Sequence, residues 1–571
     1  MTTGRPSWIG AVWMLALVGC TQAKAPVASQ AGGDDLVIHG GPILTMAGDA
    51  PSYAEAVVVE DGKIVFVGSK ADALKRQAAG ARELDLAGQT LMPGFIDGHA
   101  HAQQFGTQAV GANLLAPPDG DVNTIDDVVA RLKTFAAGPD VKHTGWIIGM
   151  GYDDALLGRH PTREDLDQVS TTMPVMATHI SAHFAAVNSV ALKLIGYDAS
   201  TPNPEGGVIR READGKTPNG VLEELAAIPH MLKALTPTTQ EGKDYFLKRG
   251  LEMAKSYGYT TTNEGRMFGP MHGVMVDAAT RGLVDIDFIG WMDYTGRSEL
   301  DAGFSRSYVN HYRLGGLKVT LDGSPQGRTA WRTTPYLLPP GGQKPGYKGY
   351  PAIPDTDQVQ AYLEEAYAKG WPVKVHVNGD AAIDQLFTAL RPVVAKHGVK
   401  PGQVILIHGQ FIRADQVKEL RSLGIFPSLF PMHTFYWGDW YGKIVGPEVA
   451  QTISPMRSVL NTGLHAASHT DAPVALPNLM QVAWATVNRT SRSGVVIGPD
   501  ERVTPYEAMK MITLWGAEQF GEDADKGSIE VGKRADFVVL SENPVTIDPA
   551  QINKIVVNET IKDGKSVWKR S

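Results

Sequence analysis

A helix–strand alternation that repeats through the middle of the chain constrains the fold most strongly. Its clearest unit spans residues 356–377. Thr356 can cap a helix whose apolar residues fall at i, i+3, i+4, i+7 and i+8, and Gly370 ends that helix. An apolar strand at 373–377 follows. The pattern is typical of a βα unit in which a helix covers a parallel sheet.

The alternation continues with a helix near 382–397 and strands at 404–408, 425–429 and 466–471. At this length it predicts an α/β fold, a (β/α)8 TIM-like barrel over residues 92–520. The predicted strands include five more, at 92–101, 174–178, 259–263, 287–292 and 317–321. These make nine, one more than a barrel holds, and which one lies outside it stays open.

Both ends of the chain read as β-structure. Short strands are predicted throughout residues 35–91. Near the C-terminus, further strands are predicted at 535–540, 554–557 and 561–568. Asp-Gly steps after Glu60 and Lys562 mark hairpin turns. We therefore predict a small β-sandwich assembled from residues 35–91 and 521–571.

The N-terminus predicts export. Residues 1–19 carry an apolar run too short to span a bilayer, and we interpret them as a signal peptide. Leu17-Val18-Gly19-Cys20 resembles a bacterial lipobox, so Cys20 would carry a lipid anchor and residues 20–34 would be a flexible tether. This predicts a periplasmic or cell-envelope lipoprotein of a bacterium. The alternative is an ordinary signal peptide cleaved elsewhere.

Composition narrows the partners. The chain has 571 residues, with 53 basic and 61 acidic ones, and its net charge of −8 is spread without a basic run. We expect no nucleic-acid partner and no membrane contact other than the lipid anchor. Cys20 is the only cysteine, so no internal disulfide can form. A homodimer stays open.

His99 and His101 stand two residues apart at the end of the first predicted barrel strand. Strand residues with this spacing project from the same face, so both imidazoles can reach one metal ion. The alternative is that one histidine packs and the other is solvated. In a barrel the chemistry lies at the carboxyl ends of the strands. The polar residues expected there are His99, His101, Lys318, His376, His408 and Asp471.

Four imidazoles and one carboxylate suit Zn²⁺ or a similar divalent ion. An ammonium group cannot ligate a cation, but a neutral lysine can take up CO2 and become a carbamate. Two dications nearby would favour that anionic form of Lys318. A plain buried lysine beside a single metal ion is the alternative.

Several ordered motifs resemble the amidohydrolase superfamily, in the family 3 branch that includes N-substituted formamide deformylase. They cover nearly all of the predicted mature chain. The matching stretches are 93–101, 145–149, His183 with Asn188-Ser189, 322–324 with 328–330, 376–382, 408–410, 471–474 and 526–536. Ile407 stands where relatives often carry Glu, and His469-Thr470 replaces a Gly-Ser pair.

The resemblance implies roles for the strand-end residues. His99, His101 and Asp471 would hold one ion, His376 and His408 a second, and carboxylated Lys318 would bridge them. A water activated between two zinc or other divalent ions would attack the substrate carbonyl. Asp471 would accept the proton of that water and deliver it to the leaving nitrogen.

Four other residues are weaker candidates. His183 could donate to the substrate carbonyl, or be structural. Arg328 could anchor a substrate carboxylate, or form an internal ion pair. His433 and Trp437 lie in an aromatic segment, residues 431–441, which would line a pocket for an apolar substrate or pack within a loop or oligomer contact. Glu264 is expected to support other residues and not to bind metal.

We therefore predict a metal-dependent hydrolase that cleaves a non-peptide C–N bond in a small amide-type substrate. A lactonase or esterase on the same two-metal site is one alternative, and a one-metal deaminase is another. The alternative outside catalysis is an exported binding lipoprotein with a vestigial site.

Overall fold

The structure is a computed structural model that describes residues 35–78, 80–180, 184–204, 207–237, 239–340 and 343–571. The predicted signal peptide, Cys20 and the tether lie outside the described residues. Within the described part, no helix is both long and apolar enough to cross a membrane.

The strands are β1 (Leu36–Leu44), β2 (Tyr53–Glu60), β3 (Lys63–Gly68), β4 (Arg82–Asp85), β5 (Thr90–Pro93), β6 (Phe95–Ile96), β7 (Ala112–Asn113), β8 (Ile147–Tyr152), β9 (Val175–His179), β10 (Phe184–Val187), β11 (Gly207–Arg211), β12 (Pro218–Glu224), β13 (Tyr259–Met267), β14 (Asp287–Asp293), β15 (Tyr312–Thr320), β16 (Val373–Val377), β17 (Val404–His408), β18 (Ile425–Leu429), β19 (Ala467–Ser468), β20 (Phe537–Leu540), β21 (Val557–Lys562) and β22 (Lys565–Lys569).

The α-helices are α1 (Lys70–Arg76), α2 (Phe105–Ala109), α3 (Ile125–Ala136), α4 (Val141–Thr144), α5 (Asp154–Leu157), α6 (Arg163–Asp167), α7 (Ser189–Ile195), α8 (Ile228–Leu235), α9 (Gln240–Ser256), α10 (Pro270–Thr280), α11 (Glu299–Gly303), α12 (Thr356–Lys369), α13 (Asp380–His397), α14 (Ala414–Leu420), α15 (Met432–Tyr436), α16 (Gly438–Val445), α17 (Pro447–Gln451), α18 (Met456–Leu460), α19 (Leu479–Asn488), α20 (Pro505–Met511) and α21 (Leu514–Gln519). Short 3₁₀ helices cover Ala102–Gln104, Tyr294–Gly296, Pro499–Glu501 and Pro549–Lys554.

The central sheet contains eight parallel strands in the order β6-β13-β14-β15-β16-β17-β18-β19. The sheet curls, and backbone bonds join the segments that follow its two edge strands. Gly98 N donates to Ser468 O at 3.2 Å, and Asp471 N donates to His99 O at 3.0 Å. The fold is thus mixed α/β with a curled parallel sheet. Full closure into a (β/α)8 barrel stays a prediction.

The apolar residues of this sheet and of its helices form the largest buried cluster. Helix α12 shows how the sequence pattern builds it, because Val359, Leu363 and Ala366 repeat on one face and are all buried. They pack in the same cluster as Val373 and Val375 of the strand that follows. The helix and the strand that follows it therefore contribute to one continuous apolar core.

The ninth predicted strand belongs to another sheet. Residues 174–178 correspond to β9, which lies in a six-stranded sheet of order β11-β12-β10-β9-β8-β7. Strands β7, β8 and β9 are parallel, while β9, β10, β12 and β11 pair antiparallel. Both kinds of sheet use short apolar strands, so the local pattern could not assign β9.

The two ends of the chain meet in one sheet. Its order is β22-β21-β20-β5-β1-β2-β3, and β4 also pairs with β1. The link between the ends is the antiparallel pair of β5 and β20, in which Met92 lies opposite Val538. Whether this sheet forms a two-layered sandwich and a separate domain stays a prediction.

Two local predictions were wrong. Asp355, not Thr356, is the N-cap of α12, because its side chain accepts from the backbone N–H of Asp357. The predicted strand at 554–557 is mostly absent, since a 3₁₀ helix ends at Lys554 and β21 begins only at Val557. In contrast, β16, β17 and β18 agree with the predicted strands residue for residue.

Candidate metal centre

The six predicted ligands meet at or near the carboxyl edge of the curled sheet. Most of them end a strand or follow one, so the parallel topology brings them to one edge. Lys318 and His376 are the exceptions, since Lys318 lies two residues before the end of β15 and His376 lies one residue before the end of β16. His99, Lys318 and His408 are buried, and His101, His376 and Asp471 are partly exposed.

His99, His101 and Asp471 form the tightest group. One ligand atom from each lies within 4.8 Å of the others. The Nε2 atoms of both histidines lie 3.6 Å from Asp471 Oδ1. Two imidazole nitrogens and a carboxylate oxygen therefore face one another, as a divalent ion with nitrogen and oxygen ligands requires.

A buried carboxylate orients His101. Glu264 of β13 is fully buried, and its Oε1 lies 2.8 Å from His101 Nδ1. If Nδ1 carries the proton and donates to Glu264, the lone pair of Nε2 faces Asp471. The next residue must be small, because a Cβ on Gly265 would lie 2.1 Å from His99 Cε1. Glu264 therefore contacts His101, and its expected role as a supporting residue that does not bind metal stays a prediction.

His376 and His408 form the second pair. His376 Nδ1 lies 3.2 Å from His408 Nε2. The opposite nitrogens have other partners, since His376 Nε2 lies 3.3 Å from Gly323 O and His408 Nδ1 lies 3.0 Å from His469 Nε2. This leaves one nitrogen of each ring turned toward the other ring. A cation placed between them would complete the contact.

His469 continues from His408 into the interior. It is fully buried, its Nδ1 lies 3.0 Å from Ser428 Oγ, and its ring stacks on Phe430 with centroids 5.3 Å apart. The replacement of the more usual Gly-Ser pair thus gives His408 a side-chain partner. Sequence reasoning noted the substitution but not this contact.

Lys318 lies beneath the histidines, with its Nζ 3.4 Å from His99 Nε2. Lys374 lies near it on β16 and is fully buried. Its Nζ donates to Gly98 O and to Asn263 Oδ1, both at 2.8 Å. Sequence reasoning missed Lys374, although it precedes His376 by two residues and so shares its face of the strand.

Burial controls the charges of these groups. It lowers the pKa of Lys318 to about 7 and that of His376 to about 3, and it raises the pKa of Asp471 to about 6. It also lowers the pKa of His99 and of His408 well below the usual range. These two imidazoles and His376 are therefore neutral at pH 7, the form that binds metals.

His101 behaves differently. Burial acts to lower its pKa, but the charge of Glu264 and the hydrogen bond to it outweigh burial and raise the pKa above the usual value. Two of the predicted ligands also have left-handed backbone, with φ of 76° at His408 and 51° at Asp471. Such conformations are costly for residues with a side chain and cluster at functional sites.

The predicted substrate-binding residues have distinct environments. His433 is buried, contacts the Tyr441 hydroxyl, and lies with its ring centroid 4.7 Å from that of Trp437. Burial lowers the pKa of His433 to about 3. Arg328 donates to the carbonyls of Leu338 and Pro339, at 3.0 and 3.1 Å. Its predicted anchoring of a carboxylate stays a prediction, and so do the roles of His433 and Trp437.

His183, the other predicted catalytic residue, lies outside the described residues.

The sequence analysis assigned no role to two carboxylates that lie at the site. Asp97 accepts from Tyr259 and Thr470, and Asp322 accepts the backbone N–H groups of Asn378 and Gly379. Both contacts tie the segments that carry ligands to neighbouring strands, and burial raises the pKa of Asp97 to about 6 and of Asp322 to about 7.

Comparisons with known proteins agree with this geometry. The sequence model of the amidohydrolase family matches residues 82–568. YtcJ of Bacillus subtilis, a protein named as an amidohydrolase, is 28% identical over 549 residues, which cover 93% of this chain and 99% of that protein. N-substituted formamide deformylase from Arthrobacter pascens is also 28% identical over 549 residues, covering 91% and 96%.

A solved structure shares the fold. An uncharacterized metal-dependent hydrolase from Pyrococcus furiosus aligns with a TM-score of 0.70 and 23% identity, over 90% of this chain and 100% of that one. At this identity the likeness concerns the architecture. It shows that this chain and that protein share one overall architecture.

Proposed function

Because this chain belongs to the amidohydrolase family, we propose that it hydrolyses the carbon–nitrogen bond of a small N-substituted amide with the help of divalent metal ions. The observation that carries the proposal is the convergence of His99, His101 and Asp471 within 4.8 Å. The likeness to a protein named N-substituted formamide deformylase supports an amide over an ester or lactone.

The residues present fit a pair of divalent ions. The imidazoles of His376 and His408 turn nitrogens toward each other at 3.2 Å while their other nitrogens are engaged. His99, His101 and Asp471 would hold one ion and His376 and His408 the other. Mixed imidazole and carboxylate ligands favour Zn²⁺ among the common divalent ions. When bound, two such ions polarise a carbonyl and make a water molecule more acidic.

Lys318 would bridge the two groups after reaction with CO2. Burial lowers the pKa of Lys318 to about 7, so near neutral pH a large share of the amine is uncharged. The lone pair of the neutral nitrogen forms a bond to the carbon of CO2, and the nitrogen then releases a proton. The product is a carbamate anion on a long side chain, which offers two oxygens to neighbouring cations.

Asp471 would move the proton of the reaction. Its Oδ1 lies among the imidazole nitrogens, and burial raises its pKa to about 6. As a carboxylate it accepts a proton from the attacking water, and as an acid it returns that proton to the leaving nitrogen. A carboxyl group with a pKa near the working pH suits both steps.

The aromatic segment would bind the apolar part of the substrate. His433 and Trp437 follow β18, so they lie beyond the same edge of the sheet that carries the ligands. The neutral imidazole of His433 can donate to or accept from a substrate group.

We further propose that the mature protein is exported and anchored to a bacterial membrane through Cys20. A Cys20→Ala chain should lose incorporation of labelled palmitate.

The test measures metal per chain and then hydrolysis of formanilide-type amides, aryl esters and lactones, with and without a chelator. We expect amide hydrolysis that falls when metal is removed and returns with Zn²⁺. Ester or lactone turnover in place of amide turnover would contradict the C–N assignment. Unchanged activity after complete removal of metal would contradict every metal-dependent reading.

Lys318→Ala tests the bridge, with Lys396→Ala as the matched control because the side chain of Lys396 is 66% exposed. We expect the first variant to lose metal and rate and to recover part of both in acetate, which can supply a carboxylate between the ions. The control should keep both. A Lys318→Ala chain with normal metal content would contradict the bridging role.

A further inference from the structure

A second group of potential ligands lies at the edge of the six-stranded sheet. Asp153 and Asp154 directly follow β8, and His179 is the last residue of β9. These strands are parallel neighbours, with Tyr152 opposite His179. Their carboxyl ends therefore deliver two carboxylates and an imidazole to one place, as the curled sheet does with its own ligands.

The ligand atoms of this group are close together. One atom each from Asp153, Asp154 and His179 lies within 4.8 Å of the others. His179 Nε2 lies 2.9 Å from Asp154 Oδ1, and His160 Nε2 lies 3.6 Å from Asp154 Oδ2. Asp154 thus stands between two imidazoles, each facing a different carboxylate oxygen. The group shares no residue with the group of His99, His101 and Asp471.

A second set of contacts orients the imidazole of His160. The fully buried Tyr152 places its hydroxyl 3.0 Å from His160 Nδ1. The ring of His160 also stacks on Phe184, with centroids 5.2 Å apart. A hydroxyl that accepts from Nδ1–H leaves the lone pair of Nε2 directed at Asp154. Fixed rings with one engaged nitrogen are the usual support of metal-binding histidines.

The charges at this place favour a cation. Within the described part of the chain, neither lysine nor arginine forms an ion pair with Asp154, whose ionic contacts are the two imidazoles. Arg210, whose charge acts on His160, donates instead to Glu223. The Asp154 carboxylate is therefore left without a permanent protein cation, although its side chain is only 38% exposed.

We propose that Asp153, Asp154 and His179, with His160 beside them, bind a divalent cation that accepts nitrogen and oxygen ligands, such as Zn²⁺ or Mn²⁺. This site shares no ligand with the proposed catalytic centre. Its ligands come from the segment after β8 and from the end of β9, so the bound ion would tie these two together. That arrangement fits a structural role more than a catalytic one.

The experiment is zinc content after equilibrium dialysis of the metal-free mature chain. Asp154→Asn and His179→Gln should each bind one equivalent of zinc fewer than the wild type. Asp121→Asn is the matched control, because Asp121 belongs to the same region and pairs with Arg131 at the surface. Zinc content equal to that of the wild type in both site variants would overturn the proposal.

A measurement on the unaltered chain guards against variants that do not fold. Crystals grown with zinc should give an anomalous difference peak between Asp154 and His179, in addition to any peak near His99 and His101. A peak at the histidine pair with none beside Asp154 would overturn the proposal. Because the readout is metal position, failure of this site would leave the proposed hydrolase function untouched.

Discussion

Two clusters of buried ionisable groups lie at opposite ends of the curled sheet, and their charges are compensated in different ways. At the amino end, Asp287 contacts both Lys526 and Lys562, and Lys562 also reaches Asp536 at 2.8 Å. At the carboxyl end, Lys318 lies 3.4 Å from a neutral imidazole, and Asp471 lies among histidines. The first cluster consists of close lysine–aspartate pairs, whereas Lys318 and Asp471 face imidazoles.

The pKa values express this difference. Nearby lysines hold the pKa of Asp287 well below its usual range in spite of burial, so this carboxylate is charged at all relevant pH values. At the carboxyl end the effect of burial prevails, so the pKa of Lys318 falls to about 7 and the pKa of Asp471 rises to about 6. Removing one partner of a compensated buried charge destabilises a fold strongly, whereas buried groups with shifted pKa values and no such compensation are typical of functional sites.

The largest effect is expected from Asp471→Asn at the carboxyl end. It removes both a proposed ligand and the proton carrier, so kcat/KM for the amide should fall by about 10⁴-fold, the upper end of what general acid–base groups contribute. Asp301→Asn, at an exposed ion pair with Lys369, is the control and should keep full activity. An active Asp471→Asn enzyme would remove the contrast between the two ends.

Asp287→Asn at the amino end should instead cost stability. It leaves Lys526 and Lys562 buried with fewer partners, and breaking a buried pair in this way costs about 3–5 kcal/mol. Urea unfolding of the metal-free chain measures the change. Asp471→Asn in the same assay should lose little or gain, since it removes a carboxylate that burial disfavours. Similar losses in both variants would contradict the comparison.

The pH dependence of stability offers a third test. The pKa of Lys318 is about 7 in the folded chain and near 10.5 when unfolded, so between these values the unfolded state binds one more proton. Stability of the metal-free chain should therefore rise with pH in this window, by about 1.4 kcal/mol per unit from this group. Lys318→Met should lose that rise. An unchanged slope would show that Lys318 keeps its charge.

The smallest effect is expected at His469, which contacts His408 but none of the reacting groups. His469→Ala should weaken binding of one metal ion by about 10- to 100-fold, the usual loss when the partner of a metal-binding histidine is removed. Ser428→Ala, one step further along, should lose less. Isothermal titration with Zn²⁺ measures both, and a normal second binding constant in His469→Ala would assign His469 to packing alone.

The sequence predicted those parts of the fold in which long helices and short apolar strands alternate regularly. Strands β16 to β18 alternate with long helices, and their ends were found residue for residue. The six-stranded sheet was missed because β9 has the same apolar pattern as a strand of the curled sheet. Which sheet a strand joins depends on distant partners, and no local pattern contains them.

At the site, too, the local sequence predicted some features, whereas contacts between distant residues were missed. The spacing of His99 and His101 predicted that they lie together, and the other candidate ligands were chosen from their positions at or near strand ends and from family resemblance. The contacts of His469 with His408, of Glu264 with His101 and of Lys374 with Gly98 join residues far apart in sequence. Those contacts depend on which nitrogen of each ring is engaged and on the rotamer of each side chain, and residue type alone specifies neither.

The pairing of β5 with β20 also has a consequence for biosynthesis. A ribosome makes the first strands of the end sheet hundreds of residues before the strands that must lie beside them. Until β20 has been made, the edge of β5 that pairs with it has no neighbouring strand. Completion of this sheet therefore waits for synthesis of β20, and a chain cut before Phe537 would expose an unpaired strand edge.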